Sequence, residues 1–549
     1  MTFALAMIAV CWPRERVWWQ SSILFGMAML ITLLAFRWPN LLDNRQYPDP
    51  DESQFIAEAS TLQHDPFFWR SVDGTTHGPI TDWPLLIASF VRGSLDFTTA
   101  RVVSSSLIWI ELVAAFLIFR HLHTQRFAGV LVLPLLAAHA FADLWSFVAY
   151  CSEHVPNTLL AVGLFSLITA WASDGQGLPS RARLFAAGVF LGAVPFAKLQ
   201  GTPIAAVCVV AGVWFLIRNQ LNWSERCRSL VAFIGGVVTV PAIIVGTVLL
   251  FGIWTEFFNS YILDNLRYAG ANKFPPDRSF SWNEAARMLF ELGSYAQNFN
   301  SFFIWLGGFA VCGSLLLPLF SRWHRRWVAL AAVATVAGIC AALAPGRPYL
   351  HYLQLIIFPV GLFGGLIGGA LVQDLATRVL AGASQRPMRI ALVSVFLFCG
   401  LGPQFWWRAT EPPRFIGRFT LTRGALARSE VSKEILRYGK PGQRLGIWGY
   451  MPVFWVETGL LQATRDAETS HQIEPHEYRN YYRDRFLRDL FRAQPPVFVD
   501  AVGAGNFVYQ DRSEFGHETF PELRDYLANN YQLVRDVDGT RVYVRSDRL

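Results

Sequence analysis

Long uncharged apolar runs, separated by short breaks that carry arginine, make up the first 400 or so residues of this chain. A run of about 20 such residues crosses a bilayer core as a helix, which satisfies its own backbone there. That pattern excludes a soluble globular fold for this region. Apolar runs fall near 17–36, 102–119, 127–142, 155–172, 184–197, 202–217, 229–251, 301–320, 327–344, 352–372 and 390–405. They predict about eleven membrane helices. Several are short, and the two flanking Lys198 read as broken or re-entrant. The last roughly 140 residues resemble ordinary globular sequence. The expected fold class is therefore a polytopic α-helical membrane protein with a C-terminal α/β soluble domain. The division is 1–405 and 406–549, with a Pro412-Pro413 break opening the soluble part.

Charge sets the expected orientation. The net charge of +7 invites a nucleic-acid reading, but the cations are dispersed among the breaks rather than gathered in a groove. With a cytoplasmic N-terminus, the inner loops hold Arg14, Arg16, Arg120, Arg126, Arg181, Arg183, Arg218, Arg226, Arg228, Arg322, Arg325, Arg326, Arg378, Arg386 and Arg389. Only Glu15, Asp174, Glu225 and Asp374 oppose them. Positive charge on the cytoplasmic side is the rule for such proteins. The outer side then receives the acid-rich loop 37–101, an aromatic, weakly amphipathic stretch within 252–300, and the C-terminal domain.

Within that domain, RLGIWGYMPVFWVETG reads as strand, turn and helix start, PPVFVDAV as a buried strand, PELRDYLANNY as a helix and YQLVRDVDGTRVYVR as a hairpin. None of the seven cysteines lies there, so no disulfide framework is expected, and no zinc spacing occurs. The N-terminal segment MTFALAMIAVCW has no basic region and no small-residue cleavage site, so a cleaved signal peptide is not expected. No GxGxxG signature and no internal repeat is present.

Five segments carry chemistry, and all five map to the outer face. In PDPDESQFIAEA, Asp51 and Glu52 open a helix, where Asp51 serves either as a helix cap or as a general base. In THGPITDWPLL, His77 precedes a Gly-Pro turn, where it is either a turn residue or a substrate contact, and Asp82 is placed to cap the next helix. YCSEHVPNTL puts Glu153 and His154 at a membrane depth where ionisable groups are costly, unless they are interfacial caps. VPFAKLQGTPIA places Lys198 at a helix break, either snorkelling or binding a phosphate. APGRPYLHYLQLIIFP gathers Arg347, Tyr349, His351 and Tyr352 at the outer end of the tenth span. Arginine and histidine suit a phosphate there, whereas the tyrosines also fit an aromatic belt. Carboxylates and phosphate-binding cations at one depth suggest a site that activates a hydroxyl and stabilises a phosphate leaving group.

In these segments, and in FTTARVVSSSL at the start of the second span, the chain resembles the GT-C membrane glycosyltransferases. The nearest kinds are bacterial relatives of protein O-mannosyltransferases and the lipid A aminoarabinose transferase. The resemblance implies a sugar donor carried on a polyprenyl phosphate, an inverting transfer on the extracytoplasmic side, and an envelope acceptor: a lipid, lipopolysaccharide, polysaccharide or protein. It casts Asp51 as the base and Lys198, Arg347 and His351 as holders of the lipid phosphate. Glu52, Glu153 and His154 would orient substrates or ligate a divalent metal where one is used. The chain carries Glu153-His154 where many relatives have an Asp nearby, which leaves the second carboxylate and any metal open. The implied location is a bacterial inner membrane. A lipid-linked glycan flippase would put charges mid-membrane on several helices, and only Glu111 stands out there. A non-catalytic scaffold leaves the outer-face acids, Lys198 and His351 without a purpose.

Overall fold

Each apolar run becomes a helix. In the computed structural model, which describes residues 22–42, 49–93, 95–123, 125–142, 145–172, 177–270, 282–347, 349–375, 385–410 and 425–549, the runs are α1 (Ser22–Leu41), α4 (Phe97–Leu122), α5 (Phe127–Ala140), α6 (His154–Ile168), α7 (Arg181–Ala197), α8 (Thr202–Arg218), α9 (Trp223–Leu250), α10 (Gln297–Ser314), α11 (Arg322–Leu343), α12 (Leu350–Leu375) and α13 (Arg386–Thr410). Between α1 and α4, the loop expected on the outer side forms α2 (Pro50–Leu62) and α3 (Pro79–Arg92). Among the described residues, seven helices are long and apolar enough to cross a membrane. The chain is thus a multi-pass membrane protein. Expectations that rest on the N-terminal segment, Arg14, Glu15, Arg16, Asp174, Arg378 and the Pro412-Pro413 break lie outside the described residues.

The short helices α5 and α6 need not meet lipid at both ends, because nearly all of their residues pack inside the bundle. α12 is buried along its length and forms the bundle axis. α7 meets α9 through the spacing Gly188-x-x-x-Gly192. A Cβ at Gly188 would lie 2.2 Å from the Phe233 carbonyl oxygen, and one at Gly192 only 2.1 Å from that of Val237. Backbones approach this closely in lipid only where small residues allow it. Several polar groups inside the bundle pair with one another. His139 Nε2 lies 3.1 Å from Glu111, and Arg37 donates to the carbonyls of His139 and Phe147 at 3.1 and 2.6 Å.

The C-terminal domain carries α14 (Glu430–Tyr438), α15 (Arg479–Ala493) and a five-stranded sheet in the order β2-β1-β3-β5-β4. β1 (Arg444–Trp448) pairs in parallel with β2 (Leu461–Gln462) and β3 (Val497–Asp500). β4 (Tyr531–Val537) and β5 (Thr540–Arg545) form the expected hairpin, with Asp538 and Gly539 both at positive φ, 50° and 86°. The fully buried Arg485 of α15 docks the domain onto the outer loop, donating to Asp73 at 2.7 Å and also to Asp466. Arg465 adds a 2.9 Å hydrogen bond to the Trp69 carbonyl.

Candidate active site

Asp49, not Asp51, caps α2. Its side chain accepts from the backbone N–H groups of Asp51 and Glu52 at 3.0 and 3.1 Å, and Pro50 fits the first helical turn. This correction frees Asp51, which sits in the first turn with its carboxylate 43% exposed, whereas that of Glu52 is 0% exposed. The two adjacent acids point to different environments, as neighbours on a helix must. Glu52 turns inward to Arg101 of α4, whose Nη2 lies 3.0 Å away, and accepts the Tyr150 N–H at 2.9 Å. Burial raises the Glu52 carboxyl above its ordinary value, and Arg101 opposes that shift. Glu52 therefore braces α2 against α4.

Asp51 opens into a cavity of about 910 Å³ between the outer loops and the C-terminal domain. Its carboxylate accepts the Tyr450 hydroxyl at 2.6 Å and lies 3.9 Å from His351 Nδ1. His77, Lys198, Arg347 and Tyr352 line the same cavity. Lys198 is brought there by a broken helix. α7 ends at Ala197, Lys198 is extended, and a short 3₁₀ turn over Leu199–Gly201 leads into α8. The Lys198 ammonium donates to Ser152 at 2.6 Å, pairs with the buried Glu153 and lies 5.0 Å from the centre of the Tyr352 ring. The loop beyond Gly346 supplies Arg347 and stacks the His351 ring on Tyr349, 5.6 Å between centroids.

Seven of the residues singled out in the sequence thus meet in one chamber: Asp51, His77, Lys198, Arg347, Tyr349, His351 and Tyr352. Glu52, Glu153 and His154 lie behind its wall, with His154 buried near Ser104 and Cys151. Asp82 does not cap α3, because Gly78 holds that position and Asp82 turns to His77 at 3.6 Å. Several lining residues were not singled out: Tyr450, Glu468, His471 and Tyr509 from the soluble domain, and Asp264 and Arg267 from the second outer loop. Tyr450 and His471 follow the carboxyl ends of β1 and β2, the edge at which α/β sheets usually bind ligands. The Gly449-Tyr450 turn after a predicted strand was the available signal.

No family model matches the chain, and no curated protein matches it. Solved structures do. That of ArnT from Cupriavidus metallidurans bound to undecaprenyl phosphate superposes with a TM-score of 0.58 at 12% identity, covering 94% of this chain and 97% of that one. The apo structure of the same protein gives 0.53 at 14% identity over the same shares. The chain has the GT-C fold. The chain spans nearly the full length of that similar structure, membrane helices and C-terminal α/β domain together. At such identity the likeness concerns the fold, and the chemistry must be argued from the cavity.

Proposed function

We propose that the chain is an inverting glycosyltransferase that moves a sugar from a polyprenyl phosphate donor to an acceptor of the cell envelope. One observation carries this reading: an open carboxylate, Asp51, shares a chamber with Lys198, Arg347 and His351. A single displacement needs that pairing. The acceptor oxygen attacks the anomeric carbon while its proton passes to Asp51. The bond from that carbon to the phosphate oxygen breaks, and polyprenyl phosphate departs with the electron pair. Charge then grows on the phosphate, where fixed cations stabilise the transition state more than the ground state. The presence of undecaprenyl phosphate in the ArnT structure supports a donor of this class.

In this reading, residues 1–405 form the transferase unit and 406–549 an extracytoplasmic unit that roofs the cavity and receives the acceptor, whether glycan, lipid or protein. The N-terminus is cytoplasmic and the membrane is a bacterial inner membrane. Glu52, Glu153 and His154 act at one remove, by holding Asp51 and Lys198 in place. His77 contributes shape to the wall, since its Nε2 is turned to Glu58 at 2.8 Å.

Native mass spectrometry of the full-length protein with undecaprenyl phosphate tests the donor assignment. Binding is expected, weakened about tenfold in Arg347→Ala and in His351→Ala, the worth of a hydrogen bond to a charged group. Failure to bind, or equal binding by both variants, counts against it.

A further inference from the structure

Glu58 of α2, His77 of the connecting turn and Asp82 of α3 converge behind the cavity wall, with exposures of 0, 1 and 0%. His77 Nε2 lies 2.8 Å from Glu58 Oε2 and 3.6 Å from Asp82 Oδ2, and one donor atom from each residue falls within 4.8 Å of the others. Among the described residues, neither Asp82 oxygen has a hydrogen-bond partner. Among the described residues, His77 alone forms an ion pair with either acid.

The charges do not balance. Two buried carboxylates face one imidazole, so with His77 protonated one carboxyl must either keep its own proton or meet a further cation. A divalent cation would neutralise both carboxylates and occupy both orphaned directions of Asp82. Donors about 2.0–2.2 Å from a tetrahedral centre stand roughly 3.3–3.5 Å apart, and the spacings of 2.8 and 3.6 Å bracket that value. Gln54 Nε2 donates to the other Glu58 oxygen at 2.9 Å, the kind of outer contact that orients a ligating carboxylate. Gly74 leaves room for the ring, since a Cβ there would lie 2.5 Å from His77 Nε2.

We propose that Glu58, His77 and Asp82 bind a first-row divalent cation, Zn²⁺ or Mn²⁺. One imidazole and two carboxylates suit these ions better than Mg²⁺ or Ca²⁺, which prefer oxygen alone. The ion ties α2, which carries Asp51, to the His77 turn and to α3. It is a brace for the base and not a participant in transfer.

The test uses full-length protein in detergent, stripped with EDTA and offered Zn²⁺ or Co²⁺. Elemental analysis is expected to find about one ion per wild-type chain, and bound Co²⁺ to give visible ligand-field bands. Asp82→Asn and Glu58→Gln keep the side-chain shape and remove a charge, so both are expected to fold and to lose at least tenfold in affinity. Zn²⁺ raises the melting temperature of the wild type and leaves that of Asp82→Asn unchanged. A stripped wild type that takes up neither ion overturns the proposal, as does uptake by Asp82→Asn equal to that of the wild type. The readouts do not involve transfer, so they can fail while the glycosyltransferase reading stands.

Discussion

Tyr450 and Asp51, 399 positions apart, are joined by a hydrogen bond of 2.6 Å from phenol to carboxylate. The carboxylate stands in the first turn of α2, and the phenol follows β1 in the soluble domain. The C-terminal domain therefore contributes a wall of the candidate site. Tyr450→Phe is expected to leave folding intact and lower kcat about tenfold, with donor KM little changed. A hydrogen bond to a charged group is worth about that much. Steady-state kinetics checks the split, and an unchanged kcat would show that Asp51 needs no partner from the domain.

Docking of that domain depends on Arg485, which is fully buried and pairs with Asp73 of the outer loop and with Asp466. Arg485→Met leaves two buried carboxylates without a cation. The expected cost is roughly 3–5 kcal/mol, read as a lower melting temperature. A melt indistinguishable from the wild type would mean that the ion pairs do not hold the interface.

Glu468 gives the cavity a pH dependence. Burial pushes its carboxyl up to about 7; Asp51 and Glu474 add to that shift, while Ser470 and Arg347 oppose it. Glu468 gains its negative charge as pH rises from about 6 to 8, in the chamber assigned to the donor phosphate. Donor KM is expected to rise roughly two- to fivefold over that interval and to stay flat in Glu468→Gln. The stability sign agrees. The folded state holds a proton that the unfolded carboxyl releases near 4.5, so this contribution is complete below that pH and lost as pH rises through about 7. Melting temperatures measured from about pH 5 to 8 are expected to fall more in the wild type than in Glu468→Gln. Parallel curves would remove Glu468 from the account.

Much of the fold could be read from hydropathy, because lipid enforces one rule on every spanning segment. The eleven expected runs each coincide with a helix, to within a few residues at either end where described. The site was legible in part, since Asp51, Lys198, Arg347 and His351 lie beside local breaks that a sequence displays. Long-range partnerships carry no such mark. Nothing near Glu52 shows that Arg101 neutralises it, and nothing near Asp51 points to Tyr450. The capping choice between Asp49 and Asp51 turned on Pro50. It occupies the first helical turn without needing a donor, which moves the cap two residues earlier, from Asp51 to Asp49.

The central claim is that Asp51 is the base of a polyprenyl-phosphate-dependent transfer. The most direct measurement follows release of free polyprenyl phosphate from a panel of polyprenyl phosphate sugars, comparing wild type with Asp51→Asn in the presence of envelope acceptors. The wild type is expected to consume at least one donor. Asp51→Asn should lose about 10³-fold or more in rate, with unchanged melting and donor binding. Full activity in Asp51→Asn, or a wild type that leaves every donor intact, would contradict the account.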